Sequence, residues 1–253
     1  MTGAGTLLRK ELLEQWRTMR FSLVAIVFVL IGLGSPLLAR FTPELLKAVA
    51  GDQIPITLPT PTAADAIDQL AKNLNQFGAL IAILLAMGSV ASEKERGTAA
   101  LLLAKPVGRA GFLLAKLVAI GTTLAVATLL AAVGAWFYTL VLFEALPPAG
   151  MLAAAALDWL LLMSWAAITF LGSTLTRSAV AAAGFGIVGL IVIGILSAFP
   201  AIAQWLPTGL AGPARAFALG VAGPPLLPPL IGSVVVIGGS ALLAWLSFRR
   251  QEL

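Results

Sequence analysis

Six stretches of this chain, near residues 21–39, 74–91, 112–143, 152–171, 179–199 and 229–248, carry almost no charged side chains, and that pattern leaves few folds open. A membrane-crossing helix needs about 20 mostly apolar residues, because the hydrocarbon layer is about 30 Å thick and a helix rises about 1.5 Å per residue. All six stretches are of that order. A water-soluble domain would place polar residues at helical or strand spacing through the same windows, and no such spacing is sustained here. Only 11% of the 253 residues are charged, against about 25% in soluble domains. In hydrocarbon every backbone polar group must be paired within its own segment or barrel. The expected fold is therefore an all-α integral membrane protein with six transmembrane helices in one domain, 1–253.

An even number of spans puts both termini on one side, and the basic residues choose which. Arg9, Lys10, Arg17 and Arg20, then Lys94, Arg96, Lys105, Arg109 and Lys116, then Arg177, Arg249 and Arg250 all fall on the terminal side. Only Arg40, Lys47, Lys72 and Arg215 fall on the other. Lys and Arg are retained on cytoplasmic flanks, so both termini are expected in the cytoplasm of a multi-pass protein of the cell membrane. The same placement accounts for the net charge of +5 without a nucleic-acid partner. The chain has neither Cys nor His, which removes thiolate chemistry, imidazole metal sites and every Ser-His or Cys-His catalytic pair.

Three segments outside the spans have their own character. Residues 6–20 set Leu8, Leu12, Trp16 and Met19 at helical spacing, with the charged residues largely elsewhere, which predicts a helix lying in the cytoplasmic interface. Residues 40–73 read as a turn-rich outer loop with Pro43, Pro55, Pro59 and Pro61, ending in a helix that leads into the second span. Residues 200–228 are apolar but broken by Gly209, Gly212, Pro213, Gly220, Gly223, Pro224, Pro225 and Pro228. Bare coil in lipid would strand its backbone groups, so short shielded helices or a shallow re-entrant hairpin are expected there.

The dense charge cluster between spans is SEKERGTAALLLAKPVGRAGFLLAK, residues 92–116. Ser92 to Arg96 is polar and compatible with a helix, Gly97 breaks it, Thr98 is a candidate cap, and 99–104 suits a short helix with an apolar Leu101 to Leu103 knob, stopped at Lys105-Pro106. A short surface helix with mixed charge and a leucine knob fits a cleft in a soluble partner. The run Glu95, Gly97-Thr98, Leu101-Leu102, Pro106-Val107, Arg109 and Lys116 resembles the signature between the second and third spans of type-2 ABC transporter permeases. Small permeases with a separate ATPase are the most similar, among them those of nitrous oxide reductase maturation and of drug or peptide export. Two positions depart from that pattern: Ala100 stands where family members often carry Glu, and Ala115 where they carry Gly.

The resemblance implies that 92–111 is a coupling segment on which a cytoplasmic ABC ATPase docks, through Glu93, Lys94, Glu95, Arg96, Gly97, Thr98, Leu101, Leu102, Pro106 and Arg109. It also implies a second permease subunit, the same or different. No G-x-x-x-x-G-K-S/T loop occurs, and such a loop is what cradles nucleotide phosphates. ATP and Mg are therefore expected on the partner, with no cofactor on this chain and no enzymatic activity of its own. The importer-type permease signature is absent, so export is expected, of an amphipathic, lipidic or peptide-like cargo along a mostly apolar path in contact with membrane lipid. The alternative is a secondary transporter or channel, for which Asp158 in the fourth span is the candidate intramembrane polar site. Ala182, Gly186 and Gly189 in the fifth span permit close helix approach, either within the chain or as a dimer seam.

Overall fold

The computed structural model describes residues 3–50, 60–98 and 108–251, and among them every regular element is helical. In chain order these are α1 (Gly3–Arg17), α2 (Arg20–Ala50), α3 (Ala63–Asn73), α4 (Ala79–Met87), α5 (Ala91–Glu95), α6 (Arg109–Leu142), α7 (Pro148–Leu175), α8 (Ala179–Leu196), α9 (Pro200–Ala203), α10 (Ala211–Leu219) and α11 (Leu227–Phe248). Among the described residues six runs are long and apolar enough to cross a membrane: α2 from Arg20 to Leu45, Ala63–Glu95 spanning α3 to α5, and then α6, α7, α8 and α11. Both described ends of the chain lie at one end of the bundle, called here the basic end.

The break between α1 and α2 is sharp. Met19 takes the left-handed conformation, φ 61°, which costs a residue with a Cβ roughly 1 kcal/mol or more. That turn lets α1 fold back beside the bundle while α2 enters it.

The first outer segment differs from the turn-rich loop expected from its prolines. The helix of span 1 runs on through Pro36 and Pro43 to Ala50. Each proline removes one backbone bond, but apolar surroundings favour keeping the rest of the helix intact, and hydroxyls take up nearby carbonyls. Ser35 Oγ donates to Ile31 O at 2.6 Å and Thr42 Oγ1 to Leu38 O. Span 2 starts at α3, where Asp65 accepts the Thr62 amide at 2.8 Å, half of a capping box. It then passes through a single π turn, Leu74–Gly78, into α4. Pro55 and Pro59 lie outside the described residues.

The second broken segment forms short helices. α9, a 3₁₀ turn at Pro207–Leu210 and α10 follow one another, and Leu210, Ala214 and Ala218 are buried. α10 rests on α7 and α3 and ends at Gly220 with φ 66°, the left-handed residue that closes a helix C-terminus. Arg215 Nε donates to Asp68 Oδ1 at 2.5 Å and pins α10 to α3.

α7 is the central post, touching α4, α6, α8, α10 and α11, with Leu162, Trp165 and Phe170 fully buried. α2 packs along α6, and at their crossing Gly32 lies so close to Ala131 that a Cβ would meet its carbonyl oxygen at 2.3 Å. The most apolar windows of α8 and α11 are only 17% buried within the chain, against 61% for α7. Those two helices therefore form the outer wall of the bundle.

Candidate functional site at the basic end of the bundle

The five residues of α5 are too few to hold a helix by themselves, and the surrounding helices supply what they lack. At its start the Val90 and Ala91 amides donate to Ser173 Oγ of α7 at 3.0 and 2.9 Å, so two otherwise orphan donors of the first turn are satisfied. Ser173 is fully buried. At its end Gly97 adopts φ 69°, and Thr98 Oγ1 donates back to Glu93 O at 3.2 Å. α5 is thereby clamped to the central post at one end and terminated by a glycine at the other.

Its side chains divide into two sets. Lys94 turns inward, donating to Thr174 O and to Thr176 O, the latter at 3.5 Å, with its ammonium 5.7 Å from the centre of the Phe248 ring. A cation on the last carbonyls of α7 complements the negative end of that helix. Glu93 also turns inward, meeting Lys116 at 2.8 Å and Lys10 at 3.4 Å. Glu95, Arg96, Gly97 and Thr98 are exposed. Arg109, at the start of α6, donates to the carbonyls of Phe248, Arg249 and Gln251 at 3.0, 2.8 and 3.0 Å, and so caps α11 as Lys94 caps α7. Phe112 and Phe248 stack between them with centroids 5.6 Å apart. Leu101, Leu102 and Pro106 lie outside the described residues, as does the short helix expected over 99–104.

Glu93 belongs to a five-residue ion network that joins three elements. Lys116 of α6, 4% exposed, binds Glu11 of α1 at 3.0 Å as well as Glu93. Lys10 binds Glu11 and Glu14, each at 3.0 Å. The Lys116 ammonium also lies 5.1 Å from the Phe112 ring centre. One turn further on, buried Gln15 accepts the Thr123 hydroxyl. α1 thus presents Glu11 and Gln15 to the bundle and leaves Trp16 exposed. Charges turn inward because α6 offers them a buried lysine that would otherwise be unpaired. Sequence reasoning gave Glu11, Gln15 and Ser173 no role of this kind and used Lys116 only as a cytoplasmic cation and as one position of the family signature. The available signal was Lys116 itself, a cation about two turns inside a long apolar helix, which calls for a carboxylate nearby.

The contacts made by Lys10 give α1 a pH-dependent share of the stability. Burial disfavours the Lys10 ammonium, but its hydrogen bonds to Glu11 and Glu14 and the charge of Glu93 outweigh that and raise its pKa above the ordinary 10.5. Burial likewise pushes the Glu14 carboxyl upward, and the hydrogen bond and charge of Lys10 overcome it, holding the group below its ordinary 4.5. The Lys10 contribution is full below its ordinary value and fades as pH rises through its raised one. The Glu14 contribution is full above 4.5 and fades as pH falls through its lowered value. The unfolding midpoint in detergent is expected to hold steady between those limits and to fall on acidification below 4.5, with the Lys10→Met variant losing part of that response.

The remaining sequence candidates lie elsewhere. Asp158, part-buried on α7, lines a cavity of about 10 Å³ bounded by α3, α6, α7 and α10, space for about one water. Its neighbour Trp159 donates to Gly121 O of α6 at 2.9 Å. Ala182, Gly186 and Gly189 face inward: Ala182 is fully buried, and a Cβ on Gly186 would lie 2.2 Å from Thr169 Oγ1 of α7 and 3.1 Å from Ile83 of α4. Gly189 sits close on Ile168 as well, where a Cβ would meet its side chain at 2.8 Å. Of the two roles open for this stripe, packing within the chain is the one these contacts occupy.

Two cavities open at the basic end. One, of about 440 Å³, is lined by the ion network together with Gln15, Arg20, Ser92, Arg96 and Thr98. The other, of about 350 Å³, is walled by apolar residues of α2 and α4.

Comparison with known proteins places this architecture. The chain is 30% identical over 208 residues, 79% of its length and 79% of the other's, to the uncharacterized transmembrane protein YxlG of Bacillus subtilis. It is 34% identical over 125 residues, 49% of its length and 41% of the other's, to the probable ABC transporter permease protein NosY of Pseudomonas aeruginosa. Residues 6–216 match the family described as ABC-2 family transporter protein, a match that takes in α1, the ion network and five of the six spans. The chain therefore belongs to the ABC-2 family and is a transmembrane permease of the ABC transporter class.

Proposed function

We propose that this permease is driven by a separate cytoplasmic ATPase that docks at the basic end on the α5–α6 connection, with Glu95, Arg96, Gly97 and Thr98 as its described contact strip. The carrying observation is the contrast between an anchored α5 and the exposed residues at and just after its end. Ser173, Lys94 and Glu93 bind it to α7, α6 and α1, while the four residues that follow remain exposed. Force applied to the free strip reaches α7 through Ser173 and Lys94, and reaches α6 and α1 through the ion network. The family resemblance adds Leu101, Leu102 and Pro106, outside the described residues, as further ATPase contacts. ATP and Mg act on the partner, and this chain supplies no catalytic group.

In this reading the basic end faces the cytoplasm, in keeping with the excess of Lys and Arg there. Two permease copies, alike or different, enclose the path. Its walls are mostly apolar, which suits export of an amphipathic, lipidic or peptide-like cargo better than a bare ion.

The test is a charge reversal on the free strip, Glu95→Arg with Arg96→Glu, purified in mild detergent from the native membrane. Both side chains are exposed, so the thermal midpoint is expected to change little. Recovery of a co-purifying ATPase is expected to drop at least tenfold, about 1.4 kcal/mol of binding. Undiminished recovery by a folded variant refutes docking at this strip.

A further inference from the structure

The two cavities at the basic end share Arg20, Leu85, Gly88 and Ser92 among their lining residues. They form one amphipathic space: a polar chamber of about 440 Å³ beside α1 and an apolar groove of about 350 Å³ between α2 and α4, with Ala179 of α8 at its edge. We propose that this space is a binding site for an anionic phospholipid from the adjoining leaflet, with its phosphate in the polar chamber at Arg20 and an acyl chain along the groove.

Charge bookkeeping in the chamber favours an anion. Its lining holds Lys10, Arg20, Arg96 and Lys116 against Glu11, Glu14 and Glu93. The two lysines and three glutamates are bound to one another in the ion network. The Arg20 and Arg96 guanidinium groups enter no ion pair or hydrogen bond among the described residues; the network itself carries one excess negative charge, so the lining keeps one net positive charge, borne by guanidinium groups that match phosphate geometry well.

The groove supplies the second half of the ligand. Leu23 and Val27 of α2 and Ile81, Leu84 and Met87 of α4 wall it, and Leu23 and Leu84 are 61% and 59% exposed. Those helices are spans, so the groove opens sideways into hydrocarbon rather than into water. Arg20 stands at the first residue of α2, at the depth where a headgroup meets its chains. A soluble phosphate compound would leave this apolar wall uncovered, whereas a phospholipid fills both parts. A pocket of this size lies within the range of about 300–1,000 Å³ usual for ligand sites.

The proposal concerns binding alone and stands whether or not an ATPase docks at α5. Native mass spectrometry of the detergent-purified chain, titrated with dioleoyl phosphatidylglycerol or dioleoyl phosphatidylcholine, tests it. One phosphatidylglycerol is expected to be retained per chain with at least tenfold preference over phosphatidylcholine. Arg20→Gln is expected to abolish that preference. Val27→Trp, which fills the groove from an exposed position, is expected to remove retention of both lipids. Thermal unfolding of each lipid-free variant shows whether the fold is kept, and Leu84→Trp replaces Val27→Trp if it is not. Equal retention of the two lipids by the unaltered chain overturns the proposal, as does full retention by folded groove-filled variants. Displacement of the lipid by millimolar inorganic phosphate alone would assign the chamber to free phosphate and overturn it as well.

Discussion

Replacing Lys116 with alanine is expected to lower the stability of the folded bundle by about 3–5 kcal/mol, the usual cost of removing one partner from a buried ion pair. The loss is large because two carboxylates depend on this ammonium. Glu11 and Glu93 meet it at 3.0 and 2.8 Å, and Glu93 already has one oxygen, Oε2, buried without a hydrogen-bond partner. The alanine variant would leave that pair of acids with only Lys10, which is itself shared with Glu14. Thermal or denaturant unfolding in detergent reads the effect directly. A paired variant, Lys116→Met with Glu11→Gln, removes one charge of each sign and is expected to recover part of the loss, since an apolar replacement of a buried pair is often close to neutral. If Lys116→Ala melts within a degree of the unaltered protein, the network does not hold α1 to α6.

The second large effect is expected at the seam between α8 and the central post. Gly186→Leu would thrust a side chain against Thr169, whose hydroxyl is already committed to Trp165 O at 2.9 Å, and against Ile83. Overpacking of this kind costs about 1–3 kcal/mol or more, and a leucine cannot be housed without moving α8 off α7. On the opposite face, Gly184 has nothing within 4 Å of its notional Cβ, so Gly184→Leu is expected to leave the folded monomer unchanged. Comparing the two variants by unfolding and by the mass of the purified particle separates packing from assembly. A large loss for Gly186→Leu with none for Gly184→Leu supports an inward seam. If Gly184→Leu alone lowers the particle mass, the outer face of α8 mediates contact with a second copy.

Much of this fold was legible in the residues. Length and the absence of charge define spans wherever the solvent is hydrocarbon, because the backbone has no other way to satisfy its polar groups. The six runs therefore stand close to where hydropathy alone puts them. Local chemistry was legible for a steric reason at Gly97 and Gly220, where glycine, lacking a Cβ, adopts the left-handed backbone that other residues avoid. The long reach of α2 through Pro36 and Pro43 was not, because proline signals a break in water and a tolerated gap in lipid.

The site divides in a similar way. That 92–98 is polar, helical and broken by Gly97 can be read from the residues alone, and the family resemblance draws attention to it. Which of its charges point outward cannot be read. Lys94 and Arg109 look like docking cations in the sequence, yet they cap α7 and α11, and Glu93 is held by lysines 23 residues later and 83 residues earlier. Partners at that separation share no sequence period. They meet only because α1 folds back at Met19 and α6 brings Lys116 to the same depth. The amino-acid sequence by itself determined the solvent this chain lives in, its six crossings and the segment that carries its charges. The tertiary structure decided which of those charges are consumed in holding helices together and which remain free, since burial and pairing depend on what other helices bring to the same place.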